Sequence, residues 1–188
     1  MKLIKIIIPC ILLGGCFGTS QQATFYTQSA VANQVVSADY TAFVGVNRII
    51  LPKYMDRPQI ATQLKDSVQI NMSEYNRWVE SPSILATRVL IEDLSIHLPA
   101  ARIKINQFNN EDFDSVVSVE IVKLNAVLGE KAELVAWYTV KGHTSKKPAH
   151  YKFQSAVQIG TTYDDLVKGY EKLLEQLSQD IAGALIKK

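Results

Sequence analysis

Everything this chain folds into has to be built from residues 16–188, because residues 1–15, MKLIKIIIPCILLGG, read as a leader. Lys2 and Lys5 make a basic start, residues 6–13 are almost wholly apolar, and Gly14 and Gly15 are small. A basic start, a short apolar stretch and a small-residue end form the pattern of a secretory signal. The apolar stretch falls well short of the ~20 residues a helix needs to cross a bilayer. The 2 cysteines are Cys10 and Cys16. Cys10 leaves with the leader, so the mature chain keeps one thiol and has no internal disulfide. Its fold must rest on a hydrophobic core, and residues 16–188 suffice for one domain that has one.

Leu13-Gly14-Gly15-Cys16 resembles the bacterial lipobox. The resemblance implies cleavage before Cys16, a diacylglycerol on its sulfur and a further acyl chain on the new amino terminus. The alternative is an ordinary secreted protein with a cysteine near the cleavage site. A single acyl chain binds a membrane only marginally, at about 0.8 kcal/mol per buried methylene, whereas three make the anchor effectively permanent. Phe17 follows the cysteine, in place of the aspartate that retains such proteins at the inner membrane. By that resemblance the destination is the periplasmic face of the outer membrane. Residues 16–22 form a small, polar tether that reaches at most roughly 25 Å when extended, so residues 23–188 sit close to the membrane. No cofactor is expected besides the acyl chains on Cys16.

The formal net charge of +2 falls to zero once Lys2 and Lys5 are removed. No basic patch points to nucleic acid, which an exported protein would not meet.

Strand composition recurs along the mature chain. Residues 23–28 read as a first strand and residues 42–51 as a second, with Gly45 as a bulge candidate. Residues 51–60, LPKYMDRPQI, place two prolines around Asp56 and Arg57 and exclude a regular helix or central strand. They form a shaped loop. Residues 60–64 and 68–72 make a hairpin around Lys65-Asp66-Ser67, with Val68, Ile70 and Met72 in half-buried alternation. Ser81-Pro82 opens a helix bearing Ile84, Leu85, Val89, Leu90, Ile91 and Leu94, and Pro99 stops it. A short strand at 102–105 precedes a long pair at 113–128 and 132–140 that turns at Gly129, then a last strand at 150–159. Thr162 and Asp165 form a capping box for a closing helix over 163–186. Its stripe is Leu166, Tyr170, Leu173, Leu177, Ile181 and Ala184. The fold class is α+β, a single domain with a mostly antiparallel sheet packed by two main helices.

Signals for catalysis are missing. His97, His143 and His150 stand in no metal-ligand spacing. There is no nucleophile elbow and no phosphate-binding glycine loop. Glu111, Asp112 and Asp114 read as a solvated acidic turn. The chain is not expected to be an enzyme.

LPKYMDRPQI, and EYNRWVESP at 74–82, carry a family resemblance. The first is similar to the L-P-x-Y-L-D-R-P-Q-I signature of the ABC-type transport auxiliary lipoproteins, the PqiC (YmbA) family of paraquat-inducible-protein operons. The second resembles that family's E-F-x-R-W-x-E-P-L segment, a hairpin later in the chain. Met55 replaces a leucine, Asn76 an acidic residue, and Ser81 intervenes before Pro82. The resemblance implies an outer-membrane partner of an MCE-domain transport system, anchored in the inner membrane, that carries phospholipid across the periplasm. It also implies assembly into homo-oligomeric rings. The residues then expected at the partner surface are Leu51, Pro52, Tyr54, Asp56, Arg57, Pro58, Gln59, Arg77 and Trp78. Physical chemistry leaves each open. Asp56 and Arg57 either present a preorganised surface, or Arg57 ties the loop down by pairing with a carboxylate or backbone carbonyls. Trp78 is either an interface anchor or a core aromatic, and Tyr54 and Tyr75 divide the same way. A different class of function also fits, a lipoprotein that scaffolds a secretion or envelope assembly without handling lipid.

Overall fold

The computed structural model describes residues 21–107, 112–145 and 147–187. The leader, Cys16, most of the tether and Glu111 lie outside the described residues. The elements are β1 (Thr24–Tyr26), β2 (Phe43–Val46), β3 (Gln59–Gln63), β4 (Ile70–Trp78), α1 (Pro82–His97), β5 (Arg102–Ile105), β6 (Ser115–Ala126), β7 (Lys131–Gly142), β8 (Ala149–Gln158) and α2 (Tyr163–Ile186). They make one α+β domain. The strands divide into a three-stranded sheet, β1-β4-β3, and a five-stranded sheet, β5-β2-β6-β7-β8. The long pairings β6–β7 and β7–β8 are antiparallel, as is β3–β4. The short ones, β1–β4, β2–β5 and β2–β6, are parallel.

The β6–β7 hairpin is the axis of the core. Gly129 turns it with φ +79, a conformation that side chains with a Cβ rarely adopt. Along β7 the period-two pattern buries Ala132, Leu134, Ala136, Tyr138 and Val140. Along β6 it buries Val117, Val119 and Ile121, and a register shift after Ile121 passes the buried parity to Leu124 and Ala126. Both helices lie on this buried face, α2 against β7 and β8, and α1 against α2 and β5.

The closing helix follows its sequence signals. Thr162 Oγ1 accepts from the Asp165 N–H at 3.1 Å, and Asp165 Oδ2 accepts from the Thr162 N–H at 3.1 Å. All six stripe residues, Leu166 to Ala184, are buried. Its first turns also hold the small sheet: Tyr26 meets Tyr163 at 6.3 Å and Trp78 stacks on Tyr170 at 6.4 Å.

Four expectations are corrected. The second strand stops at Val46 and does not run to Leu51. The Ile49 N–H leaves the ladder for Thr87 Oγ1, 2.9 Å away on α1, and Ile50 rejoins β6 only through a bridge to Glu120. Gly45 is no bulge. It pairs in register with Lys104 and Val116, and its hydrogen matters because a Cβ would stand 2.7 Å from the Phe113 ring. The hairpin after the proline-rich loop is not half-buried at its tip, where Val68 is 94% exposed. Its second strand does not end at Met72 but continues as β4 through the tryptophan segment. Between Met72 and Arg77 the register jumps, so residues 73–76 bow out of the ladder.

His97, read as a helix-end residue, is fully buried. Nδ1 lies 2.7 Å from the Gln34 carbonyl, which only accepts, so Nδ1 carries a proton. Nε2 lies 3.0 Å from Ser178 Oγ on α2. The His97 carbonyl accepts from Val36 and Ser37, and Asp93 Oδ1 accepts from Val31 and Ala32. One turn of α1 therefore straps the segment after β1 across the helices.

Candidate functional site

The loop between β2 and β3 is built around buried anchors. Leu51, Met55 and Ile60 enter the core. The Pro52 carbonyl accepts from the Met55 N–H at 2.8 Å and the Asp56 N–H at 3.2 Å, closing a tight turn. The Pro58 carbonyl accepts from the Trp78 N–H at 2.7 Å. Gln59 then pairs with Arg77 as β3 begins. The two sequence segments that carry the family resemblance are thus hydrogen-bonded to each other. Trp78 is a core aromatic, 6% exposed, and its side chain is no interface anchor.

Asp56 and Arg57, neighbours in sequence, part company. Asp56 Oδ1 accepts from Ser81 Oγ at 2.6 Å and from the Ser83 N–H at 3.1 Å, and Oδ2 accepts from Ser83 Oγ at 3.0 Å. Ser81 is the N-cap of α1, yet its side chain caps nothing within the helix. A carboxylate from a loop 27 residues earlier takes that place. It satisfies an orphan N–H and sits at the positive end of the helix dipole. Arg48 completes the cluster. Its Nε and Nη2 donate to Ser83 Oγ at 3.0 and 2.6 Å, and Nη2 donates to Ser81 Oγ at 3.0 Å. Each serine hydroxyl donates a hydrogen bond to Asp56, so the chain of donors runs Arg48, serine, carboxylate. Burial pushes the Asp56 carboxyl up, but hydrogen bonds from Ser81 and Ser83 and the Arg48 charge outweigh it and hold the group below the usual range. Ser81, a departure from the resembled motif, is one of the two residues that bind it.

Arg57 points outward. It is exposed and makes no hydrogen bond or ion pair among the described residues. The expectation that it ties the loop down is therefore corrected, because Asp56, Met55 and the Pro58 carbonyl already do so. Pro58 is exposed beside it and Pro52 is half-buried. Tyr54 is 37% exposed, and its hydroxyl donates to Asn125 Oδ1 at 3.0 Å, which seats the loop on β6. Asn125 in turn donates to Gln63 Oε1 at 2.9 Å. Arg77 is half-buried, with Nε donating to the Glu74 carbonyl at 3.0 Å. Tyr75 lies on the bowed segment of β4, 39% exposed.

Sequence reasoning missed three parts of this surface. Arg48 and Ser83 hold the loop from two other elements, and nothing in their local sequence marks them. Beside the loop lies the open face of the five-stranded sheet, where Ile50 is 62%, Trp137 50% and Val122 44% exposed. Ile50 bridges to Glu120, Glu120 pairs with Trp137, and Trp137 pairs with Lys152, so these form one row. The alternation in β7 was enough to place Trp137 on the outer face, opposite Ala136 and Tyr138.

The arrangement offers contact chemistry: a rigid turn displaying a guanidinium, prolines and a tyrosine beside a mixed sheet face on which Ile50 and Trp137 are exposed among Glu120 and Lys152. No group of three or more metal-ligating side chains occurs among the described residues. Asp114 Oδ2 accepts from the Phe43 N–H at 2.7 Å and so anchors the start of β2. No described helix is long and apolar enough to cross a membrane.

No curated protein matches the chain. Among solved structures, that of an uncharacterized protein superposes with a TM-score of 0.73 at 16% identity, covering 87% of this chain and 99% of its own. Protein XCC0632 from Xanthomonas campestris superposes with a TM-score of 0.69 at 13% identity, covering 87% of this chain and 95% of its own. At those identities the likeness establishes the shared fold. A family model described as the ABC-type transport auxiliary lipoprotein component matches residues 26–182, from β1 into the last turns of α2 and through both segments that build the loop. The chain belongs to the ABC-type transport auxiliary lipoprotein family.

Proposed function

We propose that this protein is an outer-membrane lipoprotein, anchored through acylated Cys16, that docks an MCE-domain protein of the inner membrane in a phospholipid transport system spanning the periplasm. It works as a binding component and turns over no substrate. The observation that carries this reading is the division of labour at Asp56 and Arg57. Asp56 spends its hydrogen-bonding capacity on the helix α1 cap, so the turn is held rigid from inside. Arg57 is displayed on that rigid turn with Pro58 and Tyr54, and Ile50 and Trp137 are exposed on the sheet that the loop is seated on. A preorganised turn loses little conformational entropy on binding, and arginine with aromatic neighbours is the composition of an interface centre. The lipobox resemblance and the family membership supply the setting, an envelope transport machine.

The test is a mild-detergent pull-down of the full-length, acylated protein from envelopes, with mass spectrometry of proteins and lipids. Recovery of an MCE-domain protein is expected. Recovery of secretion or cell-wall components alone would replace the transport role with a scaffolding one.

A further inference from the structure

The tether enters the fold at β1, an edge of the three-stranded sheet. That sheet has two unlike faces. Tyr26 and Trp78, which are register partners, turn inward and meet Tyr163 and Tyr170 of α2. One residue earlier, Phe25 pairs with Arg77 and Arg77 pairs with Gln59, so these three form a row across the outer face. Val79 returns to that side, and its N–H donates to the Tyr26 carbonyl at 2.8 Å. Phe25 is 62% and Val79 56% exposed, and Phe25 is the most exposed aromatic side chain among the described residues.

The small sheet marks one pole of the molecule. Trp78 stacks on Tyr170, whose hydroxyl lies 3.5 Å from the Leu124 carbonyl, near the turn of the β6–β7 hairpin. The other end of that hairpin, where Ser115 pairs with Gly142 and His143 follows, is about 30 Å further along β6.

The anchor decides what this pole faces. Cys16 lies nine residues before Phe25. A fully stretched chain of that length holds Phe25 within roughly 30 Å of the acylated residue. A folded domain of about 100 residues has a radius of gyration of about 13 Å, so its girth alone uses up that reach. No second protein layer fits between the outer face of the small sheet and the leaflet. We infer that this face, with Phe25 and Val79 foremost, lies against the headgroups of the leaflet that holds the anchor. The inference rests on the acyl anchor of the function proposed above. Apolar side chains that enter the boundary between headgroups and acyl chains add a second hold on the bilayer. Arg77, half-buried in the row, lays its stem along the apolar side chains and keeps its guanidinium at the polar level. The contact also fixes how the domain stands. Gln59 is two residues from Arg57, so the docking turn borders the leaflet, and the transport partner is met where phospholipid enters or leaves it.

Cys16 is the sole cysteine after the leader, so once it is acylated an introduced cysteine is the one free thiol. Phe25→Cys, Val79→Cys and His143→Cys, each in the full-length, acylated protein, are labelled with a nitrobenzoxadiazole dye. They are reconstituted into vesicles of phosphatidylethanolamine and phosphatidylglycerol, with and without a lipid that carries a spin label high on its acyl chain. The expected result is a blue shift and a loss of emission to the spin label at Phe25→Cys and Val79→Cys, and neither at His143→Cys. Adding Phe25→Asp to Val79→Cys removes the shift and the quenching there, with the melting curve unchanged. Flotation of the vesicles in parallel separates the inference from the anchor. Protein that floats while the labels at Phe25→Cys and Val79→Cys stay unquenched would overturn the inference and leave the anchor standing. Equal quenching at all three positions would overturn it as well, because the domain would then tumble on its tether. Protein that does not float would remove the anchor and the inference together.

Discussion

Asp56→Ala is the perturbation that separates the two halves of the loop. It removes the acceptor for Ser81 Oγ, Ser83 Oγ and the Ser83 N–H together. A helix cap is worth about 1 kcal/mol, and a hydrogen bond to a charged group about 1.5–3 kcal/mol when shielded. Asp56 sits on an exposed loop, so water recovers part of this and the expected loss is about 1–2 kcal/mol. For a chain of this size that lowers the melting temperature by about 2–8 °C. Asp56→Asn keeps the shape and one acceptor oxygen, and falls between. Arg57→Ala removes no hydrogen bond or ion pair among the described residues and shifts stability by no more than about 0.5 kcal/mol. The assay is thermal and urea unfolding of residues 23–188, followed by circular dichroism. The pH dependence gives a second reading. The folded Asp56 carboxyl titrates below its ordinary value of 3.8, so the unfolded chain takes up its proton first as pH falls. Its contribution is fully present above about pH 4–5 and is lost as pH drops through the lower, folded value. In Asp56→Ala that loss disappears from the acid limb of the stability curve. Equal melting temperatures for wild type and Asp56→Ala would refute the cap, and a large drop in Arg57→Ala would refute the division of roles.

Other perturbations follow from the same geometry. Gly45→Ala drives a methyl group into the Phe113 ring and costs about 1–3 kcal/mol; Gly45→Ala with Phe113→Leu recovers part of it, which urea unfolding reads. Trp78→Ala empties the site against Tyr170 and costs about 3–5 kcal/mol, while Tyr75→Ala, on the bowed segment, leaves unfolding nearly unchanged. His97→Ala cuts the bonds to Gln34 and Ser178, and hydrogen exchange at Val36 and Ser37 accelerates relative to the β6–β7 hairpin. Cys16→Ala abolishes acylation, and the protein moves from the membrane to the soluble envelope fraction on cell fractionation.

What the sequence made legible were features with short-range chemistry. The capping box at Thr162 and Asp165 and the six-residue stripe of α2 are decided within a few turns. So is the β6–β7 hairpin, with Gly129 at its turn. What stayed hidden depends on groups far apart along the chain. Asp56 meets Ser81 and Ser83 only after the β3–β4 hairpin has folded back, so the motif alone left its role open between surface and structure. The early end of β2 follows from Thr87 capturing the Ile49 N–H, a competitor 38 residues away. Gly45 reads as a bulge from composition, whereas its cause is a ring from a different segment. His97 sits near a helix terminus in sequence, yet its partners are Gln34 and Ser178, on a loop and on the other helix. The pairing of short parallel strands, β1 to β4 and β2 to β5, carries no local signature at all.

The central claim is that the loop is rigid within and offers Arg57 outward to a transport partner. The most direct test is charge reversal, Arg57→Glu, in the full-length acylated protein, pulled down from envelopes in mild detergent beside wild type. The account predicts that an MCE-domain protein co-purifies with wild type and is lost with Arg57→Glu, while the two melting curves coincide. Undiminished recovery of that partner by Arg57→Glu would contradict it, and so would a wild-type pull-down that contains no MCE-domain protein.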